Sequence, residues 1–216
     1  MQDQRPYWDQ VAADKAFTHP VNSAWLDAFV PRTARILDYG CGYGRAMAEL
    51  SSLGYTNLVG MDFSPAMVER GRRTYPSMDL RVVEALPTPE PDCSFDAVLL
   101  LAILTSIPGE SEQEAVMREI RRLLRPRGAL YVSDMPLQTD SRNLSRYARD
   151  ASEFGVYGIF RTDDGAVVRH HDETRMQVLL QGFRPLHIAR AKVHTMNGNS
   201  AIAVQILARA IGSDTT

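Results

Sequence analysis

The chain has 216 residues, 44% apolar and 23% charged, with a net charge of −2 and two cysteines. That length suits one generous domain with a substantial core, and so mild a charge gives no electrostatic reason to expect a nucleic-acid partner. Two cysteines exclude a disulfide framework and point to free thiols in a reducing, cytoplasmic compartment; no apolar run suits a membrane span or a signal peptide.

In chain order, residues 7–29 suggest two short amphipathic helices broken at His19-Pro20. A strand over 35–38 then runs into Gly40, Gly42 and Gly44, with Asp38 just before them, and a helix over 45–53 ends at Gly54. A second strand covers 57–62. Ser64 suits a helix N-cap and Pro65 its first turn, so a helix is expected to about residue 74. Strands follow at 79–84 and 95–101, the latter a continuous apolar run typical of full burial. A helix over 112–124 is expected to stop at Pro126 and Gly128, before a fifth strand at 129–134.

The alternation then pauses. Residues 135–172 hold a polar connection, a short helix at 141–150 and a hairpin turning at Asp164-Gly165. Asp172 can cap a helix over 173–181, which Gly182 ends. Two last strands, 186–195 and 201–208, flank the turn signal Asn197-Gly198. The expected architecture is α/β, a parallel sheet with helices on its faces. One domain is expected over 1–216: an N-terminal arm or lid (1–30), a core (31–134), an insertion on the substrate side (135–172), and a closing helix with two strands (173–210).

The glycine loop permits a ligand to touch backbone directly, because glycine lacks Cβ and tolerates positive φ. Asp62 ends the next strand, 24 residues after Asp38, where nucleotide-binding sheets place an acid for ribose hydroxyls. Spacing separates the ligands. A dinucleotide loop needs a third glycine where Arg45 stands, and an acid at the entrance would repel a pyrophosphate. A cationic sulfonium with an amino group would be attracted to it.

At these residues the chain resembles the class I S-adenosylmethionine (SAM)-dependent methyltransferases, of the small-molecule type. The segments 37–44, 59–67, 94–98 and 123–130 match four of that family's motifs in order. The resemblance implies a Rossmann-like, doubly wound, seven-stranded, mostly parallel sheet with an antiparallel C-terminal hairpin strand, an N-terminal helical arm and a small hairpin inserted after the fifth strand. It implies SAM as cofactor; the chain shows no Asp/Asn metal set of the catechol-methylating kind, so no metal is expected. Gly40, Cys41 and Gly42 would pack against its methionine part, with Asp38 acting on the amino group. Asp62 would hold the ribose, Phe63 and Met67 would lie beside the adenine, and Glu84-Ala85 would occupy the place of an acid that contacts the adenine amino group. Leu101 would line the pocket, and Gly44 and Ser64 complete the cofactor set.

The acceptor is less legible. The segment 101–108 lacks the Asn/Asp-Pro-Pro-aromatic motif of base- and glutamine-methylating enzymes, and a small-molecule oxygen or nitrogen acceptor is expected, transferred to by in-line displacement. An RNA or protein acceptor, or a non-catalytic SAM-binding regulator or partner, remains the alternative; no membrane partner is expected, and the protein would be a monomer or homodimer. The catalytic candidates are Tyr157, Arg161 and one of His170 and His171. A two-residue turn puts His170 on the face of Tyr157 and Arg161, whereas a three-residue loop puts His171 there. Tyr7, Trp8, Phe17 and His19 of the arm, with Tyr147, are the substrate-side candidates.

Overall fold

The computed structural model describes residues 4–212; residues 1–3 of the expected arm and the terminal 213–216 lie outside it. The arm contains two helices, α1 (Arg5–Val11) and α2 (Ser23–Phe29). The glycine loop lies between β1 (Arg35–Tyr39) and α3 (Arg45–Ser52), followed by β2 (Asn57–Asp62) and α4 (Pro65–Thr74). Next come β3 (Asp79–Val82), β4 (Phe95–Leu101), α5 (Glu110–Leu123) and β5 (Leu124–Asp134). The insertion holds α6 (Ser141–Phe154) and the strands β6 (Ile159–Arg161) and β7 (Val167–Arg169). The chain closes with α7 (Glu173–Leu179), β8 (Phe183–His194) and β9 (Ser200–Ala210).

Seven strands form one sheet in the order β3-β2-β1-β4-β5-β9-β8, with β6 and β7 in a separate two-stranded ribbon. The pairs among β1 to β5 are parallel, and β9 is antiparallel to both neighbours. This is the doubly wound arrangement expected. Side chains alternate across the strands, so one core holds Leu37, Val98 and Leu100 against Ile120 and Leu179. The other holds Ile36, Leu99 and Tyr131 against Leu26 and Leu50. Both faces of β4 are therefore covered, which is why its sequence is apolar without alternation. The strand order reverses between β1 and β4, so a crevice opens at their carboxyl ends.

One local expectation is corrected. Helix α5 stops at Leu123, and Pro126 and Gly128 lie inside β5 instead of between helix and strand. The β4–β5 register jumps from Phe95–Leu124 to Ala97–Ala129, and Arg127 takes φ 63°. The intervening residues bulge off the ladder, where proline's missing N–H costs no pairing.

The structure also decides between the two hairpin registers. Ile159 stands opposite Arg169, and the Thr162 amide donates to the Ala166 carbonyl at 2.8 Å. Asp163, Asp164 and Gly165 thus form the turn, the three-residue alternative. Phe160, Val168 and His170 then share one face, and Arg161, Arg169 and His171 the other.

Candidate functional site

The glycine loop is tied back to β2. The amides of Gly40 and Cys41 both donate to the Met61 carbonyl, at 2.7 and 3.0 Å, and the Gly42 amide donates to Asp62 Oδ2 at 2.7 Å. The other Asp62 oxygen accepts the Ser64 amide at 2.8 Å. Gly40 and Gly42 adopt φ of 74° and 53°, and only mobile side-chain ends lie over them: Ile103 above Gly40 and the Phe17 ring above Gly42. A Cβ would lie 2.0 Å from Ile103 Cδ1 at Gly40 and 1.9 Å from Phe17 Cε2 at Gly42, so neither position accepts a side chain unless these neighbours shift.

Two neighbouring cavities meet at this loop and share Gly40, Asp62, Phe63 and Ile103 in their walls. The first also reaches Asp38, Cys41, Met67 and Leu101, and the second reaches Glu84 and Ala85. Gly44 and Ser64 stand behind the wall. Gly44 sits at the N-cap of α3. Ser64 caps α4, accepting the Met67 amide at 3.2 Å and donating to Asp9 Oδ1 at 2.6 Å.

The two acids of the loop are electrostatically unusual. Asp38 is 2% exposed and lines the first cavity, and its carboxyl has no hydrogen-bond donor among the described residues. Burial pushes its pKa up to about 7; Arg45 opposes the shift and Asp62 adds to it. Burial likewise raises Asp62 to about 6, against the amides of Ser64 and Gly42. A buried carboxyl with no donor and an open side suits a cationic partner. Asp62 has already spent one lone pair of each oxygen on backbone and keeps others for hydroxyl donors. The residues present therefore fit a ligand with an ammonium or sulfonium at one end and vicinal hydroxyls farther along.

The arm closes over the first cavity. Trp8 is buried beside Tyr43 and Met67, Phe17 stacks on Tyr43 with centroids 5.1 Å apart, and Tyr7 and His19 also line the wall. The arm, the hairpin tip and the β8–β9 turn meet at Asp164. Tyr7 Oη donates to it at 2.8 Å, Asn197 Nδ2 at 3.2 Å, and Lys15 pairs with it. Burial opposes ionisation of Asp164, but these donors and Thr162 outweigh it and hold the carboxyl well below the usual range.

The hairpin places its chemistry differently from the expectation. Tyr157 is 53% exposed and packs edge-on against Tyr147. Arg161 pairs with Glu153 at 3.0 Å, away from both cavities. His171 is buried between Gln113, 2.8 Å from its Nε2, and Asp134, 3.7 Å from its Nδ1, and lines neither cavity. Of the four catalytic candidates, His170 alone faces the first cavity. Tyr147 stands behind it, fully buried.

His170 Nδ1 lies 2.5 Å from Tyr147 Oη, and that oxygen accepts the Gln138 amide at 3.1 Å. Buried, the phenol has one acceptor for its own hydrogen, His170 Nδ1. The neutral ring then carries its proton on Nε2, so His170 offers the cavity a donor and not a base. Burial, then His171, Arg142 and Arg146, depress its pKa to about 3. His19 differs: its Nδ1 is 3.0 Å from Ser133 Oγ, a hydroxyl able to donate or accept, so its Nε2 can present either a proton or a lone pair. Burial lowers its pKa too, Asp134 acting in opposition.

Four contributing residues were not among the expectations from sequence. Ile103 covers Gly40. Asp134 accepts the amides of Leu104 and Thr105 at 2.9 and 3.0 Å and the Thr105 hydroxyl at 2.6 Å, pinning the loop after β4. Arg142 and Arg146 of α6 line the first cavity; their four-residue spacing on a capped helix was the signal available.

Fold and site together define a doubly wound α/β protein with a ligand crevice at the switch point of its sheet. Residues 37–132 match the family described as "Methyltransferase domain". The chain is 33% identical over 159 residues to the 27-O-demethylrifamycin SV methyltransferase of Amycolatopsis mediterranei, covering 69% of this chain and 57% of that protein. It is 32% identical over 139 residues to the ubiquinone biosynthesis O-methyltransferase of Xanthomonas oryzae pv. oryzae, covering 60% and 56%. The chain thus spans little more than half the length of these relatives. A SAM-dependent methyltransferase structure from Methanosarcina mazei superposes with TM-score 0.82 at 24% identity, covering 88% of this chain and 98% of that one. Residues 37–132 thus match a methyltransferase domain, and the chain as a whole shares the fold of that SAM-dependent methyltransferase structure.

Proposed function

We propose that the protein transfers a methyl group from SAM to oxygen or nitrogen of a small molecule. The observation that carries this reading is Asp38, a buried carboxyl without a donor at the mouth of the glycine loop. SAM, when bound, supplies an electrophilic methyl on a sulfonium. Asp38 would face its cationic end, and Asp62 would take ribose hydroxyls while keeping the Gly42 amide in place. Phe63, Glu84 and Ala85 would flank the adenine in the second cavity. The rifamycin and ubiquinone-pathway relatives, both named as O-methyltransferases or O-demethyl-substrate enzymes, support a small acceptor.

On the acceptor side, the Trp8–Phe17 arm excludes water. His19 is the group able to accept a proton at Nε2 from a hydroxyl or an amine, and His170 donates at its own Nε2. No helix among the described residues is long and apolar enough to cross a membrane, and free Cys41 and Cys93 suit a reducing compartment. Calorimetry with SAM, S-adenosylhomocysteine and NAD tests the ligand: binding of the first two without NAD is expected, and the reverse would overturn the reading. His19→Gln should lower kcat about a hundredfold or more, the lower end of the usual range for a general base, with cofactor affinity retained; lost cofactor binding would show instead that His19 supports the arm.

A further inference from the structure

The part of the first cavity that α6 lines carries more positive charge than its neighbours neutralise. Arg142 and Arg146 both line it, one helical turn apart, where like charges repel. The nearest acid to Arg142 is Asp140, at 3.9 Å. That carboxylate is already engaged by the Asn143 amide at 3.1 Å and the Asn143 side chain at 2.6 Å. Arg146 reaches Asp163 at 3.0 Å, on the hairpin tip where the acid's side chain is 81% exposed. Such exposed pairs hold little energy. Asp164, the other acid of this wall, is committed to Tyr7, Lys15 and Asn197.

Beside the two guanidiniums stands the Nε2–H of His170, fixed as a donor by the Tyr147 contact and without a partner among the described residues. The floor between them is apolar, formed by Phe160, Ala166 and Val168, with Arg146 lying 5.6 Å from the Phe160 ring. Three donors, the two guanidiniums close enough to act on the His170 ring, thus line one cavity together with an apolar patch and with Gly40 and Cys41 of the glycine loop. Guanidiniums match the planar fork of a carboxylate, and an anion between them relieves their mutual repulsion.

We propose that the methyl acceptor is a small organic acid: Arg142 and Arg146 hold its carboxylate, His170 Nε2 donates to it, and its apolar body lies over Phe160 and Val168. This rests on the methyltransferase reading for the reaction but not for the anion site. In that arrangement His170 is a specificity-determining donor, and the carboxylate anchors the far end of the molecule while the methylated atom points to the loop.

The test is binding of phenylacetate against phenylacetamide, equal in shape and unequal in charge, by calorimetry on protein saturated with S-adenosylhomocysteine. Phenylacetate should bind at least about tenfold more tightly. The Arg142→Gln/Arg146→Gln double variant should erase that preference while S-adenosylhomocysteine affinity stays within about twofold. The single Arg142→Lys variant, which keeps charge without the fork, should retain part of it and serves if the double variant does not fold. Equal affinity of the two probes in the unaltered protein, or a preference that survives in the double variant, overturns the proposal. If S-adenosylhomocysteine itself fails to bind, the methyltransferase reading falls, and the same pair of probes on the free protein still decides the anion site.

Discussion

The amide of Gly42 and the carboxylate of Asp62 are joined by a 2.7 Å hydrogen bond across the switch point of the sheet. One side chain therefore shapes the loop and faces the ligand. Asp62→Ala leaves the buried amides of Gly42 and Ser64 without acceptors, and should cost about 2 kcal/mol of stability or more together with at least about tenfold in SAM affinity. Urea unfolding and calorimetry read the two separately. Unchanged stability with weakened binding would show that the loop holds its shape without Asp62.

Binding of a cation beside Asp38 should expel a proton. Its carboxyl, raised to about 7 by burial, is largely protonated at pH 6, and a neighbouring positive charge favours ionisation. Calorimetric enthalpies of SAM binding at pH 6 should therefore vary with the ionisation enthalpy of the buffer, and Asp38→Asn should remove much of that dependence. Enthalpies independent of buffer would place the cationic end elsewhere.

His170 makes the fold sensitive to acid. Its folded pKa of about 3 lies below the ordinary value of about 6.5 for an unfolded histidine. The stability it contributes is present above about pH 6.5 and lost as pH falls toward 3, by up to about 1.4 kcal/mol per pH unit. His171 shifts in the same direction, chiefly through burial. Asp38 and Asp62, with raised pKa values, act oppositely, losing stability as pH rises through about 7 and 6. The difference between unaltered protein and His170→Gln isolates the histidine: urea midpoints between pH 7 and pH 5 should fall less steeply in the variant. Parallel slopes would mean the ring is not held neutral.

Asp134 governs the loop after β4. Removing it in Asp134→Ala orphans the amides of Leu104 and Thr105 and the Thr105 hydroxyl, together with the Met135 amide 2.8 Å away. A loss of about 3 kcal/mol or more is expected, and SAM affinity should fall because Ile103 of that loop lines both cavities. A variant that unfolds at the same urea concentration would show that water replaces the carboxylate.

The sequence by itself determined the parts governed by local rules. Period and burial marked β2 and β4 at their observed ends, Ser64-Pro65 marked the start of α4, and the spacing of Gly40, Gly42 and Asp62 marked the loop and the acid now joined by a hydrogen bond. The tertiary structure decided what depends on partners distant in the chain. Whether Asp163 joins the hairpin turn changes the register by one residue, and with a two-residue side-chain period that choice turns Tyr157 and Arg161 away and His170 inward. The proton on His170 is fixed by Tyr147, 23 residues away, and the charge state of Asp38 by the depth at which β1 is buried. Neither partner nor depth is written in neighbouring residues, so the donor side of the cavity became legible only once the chain was folded.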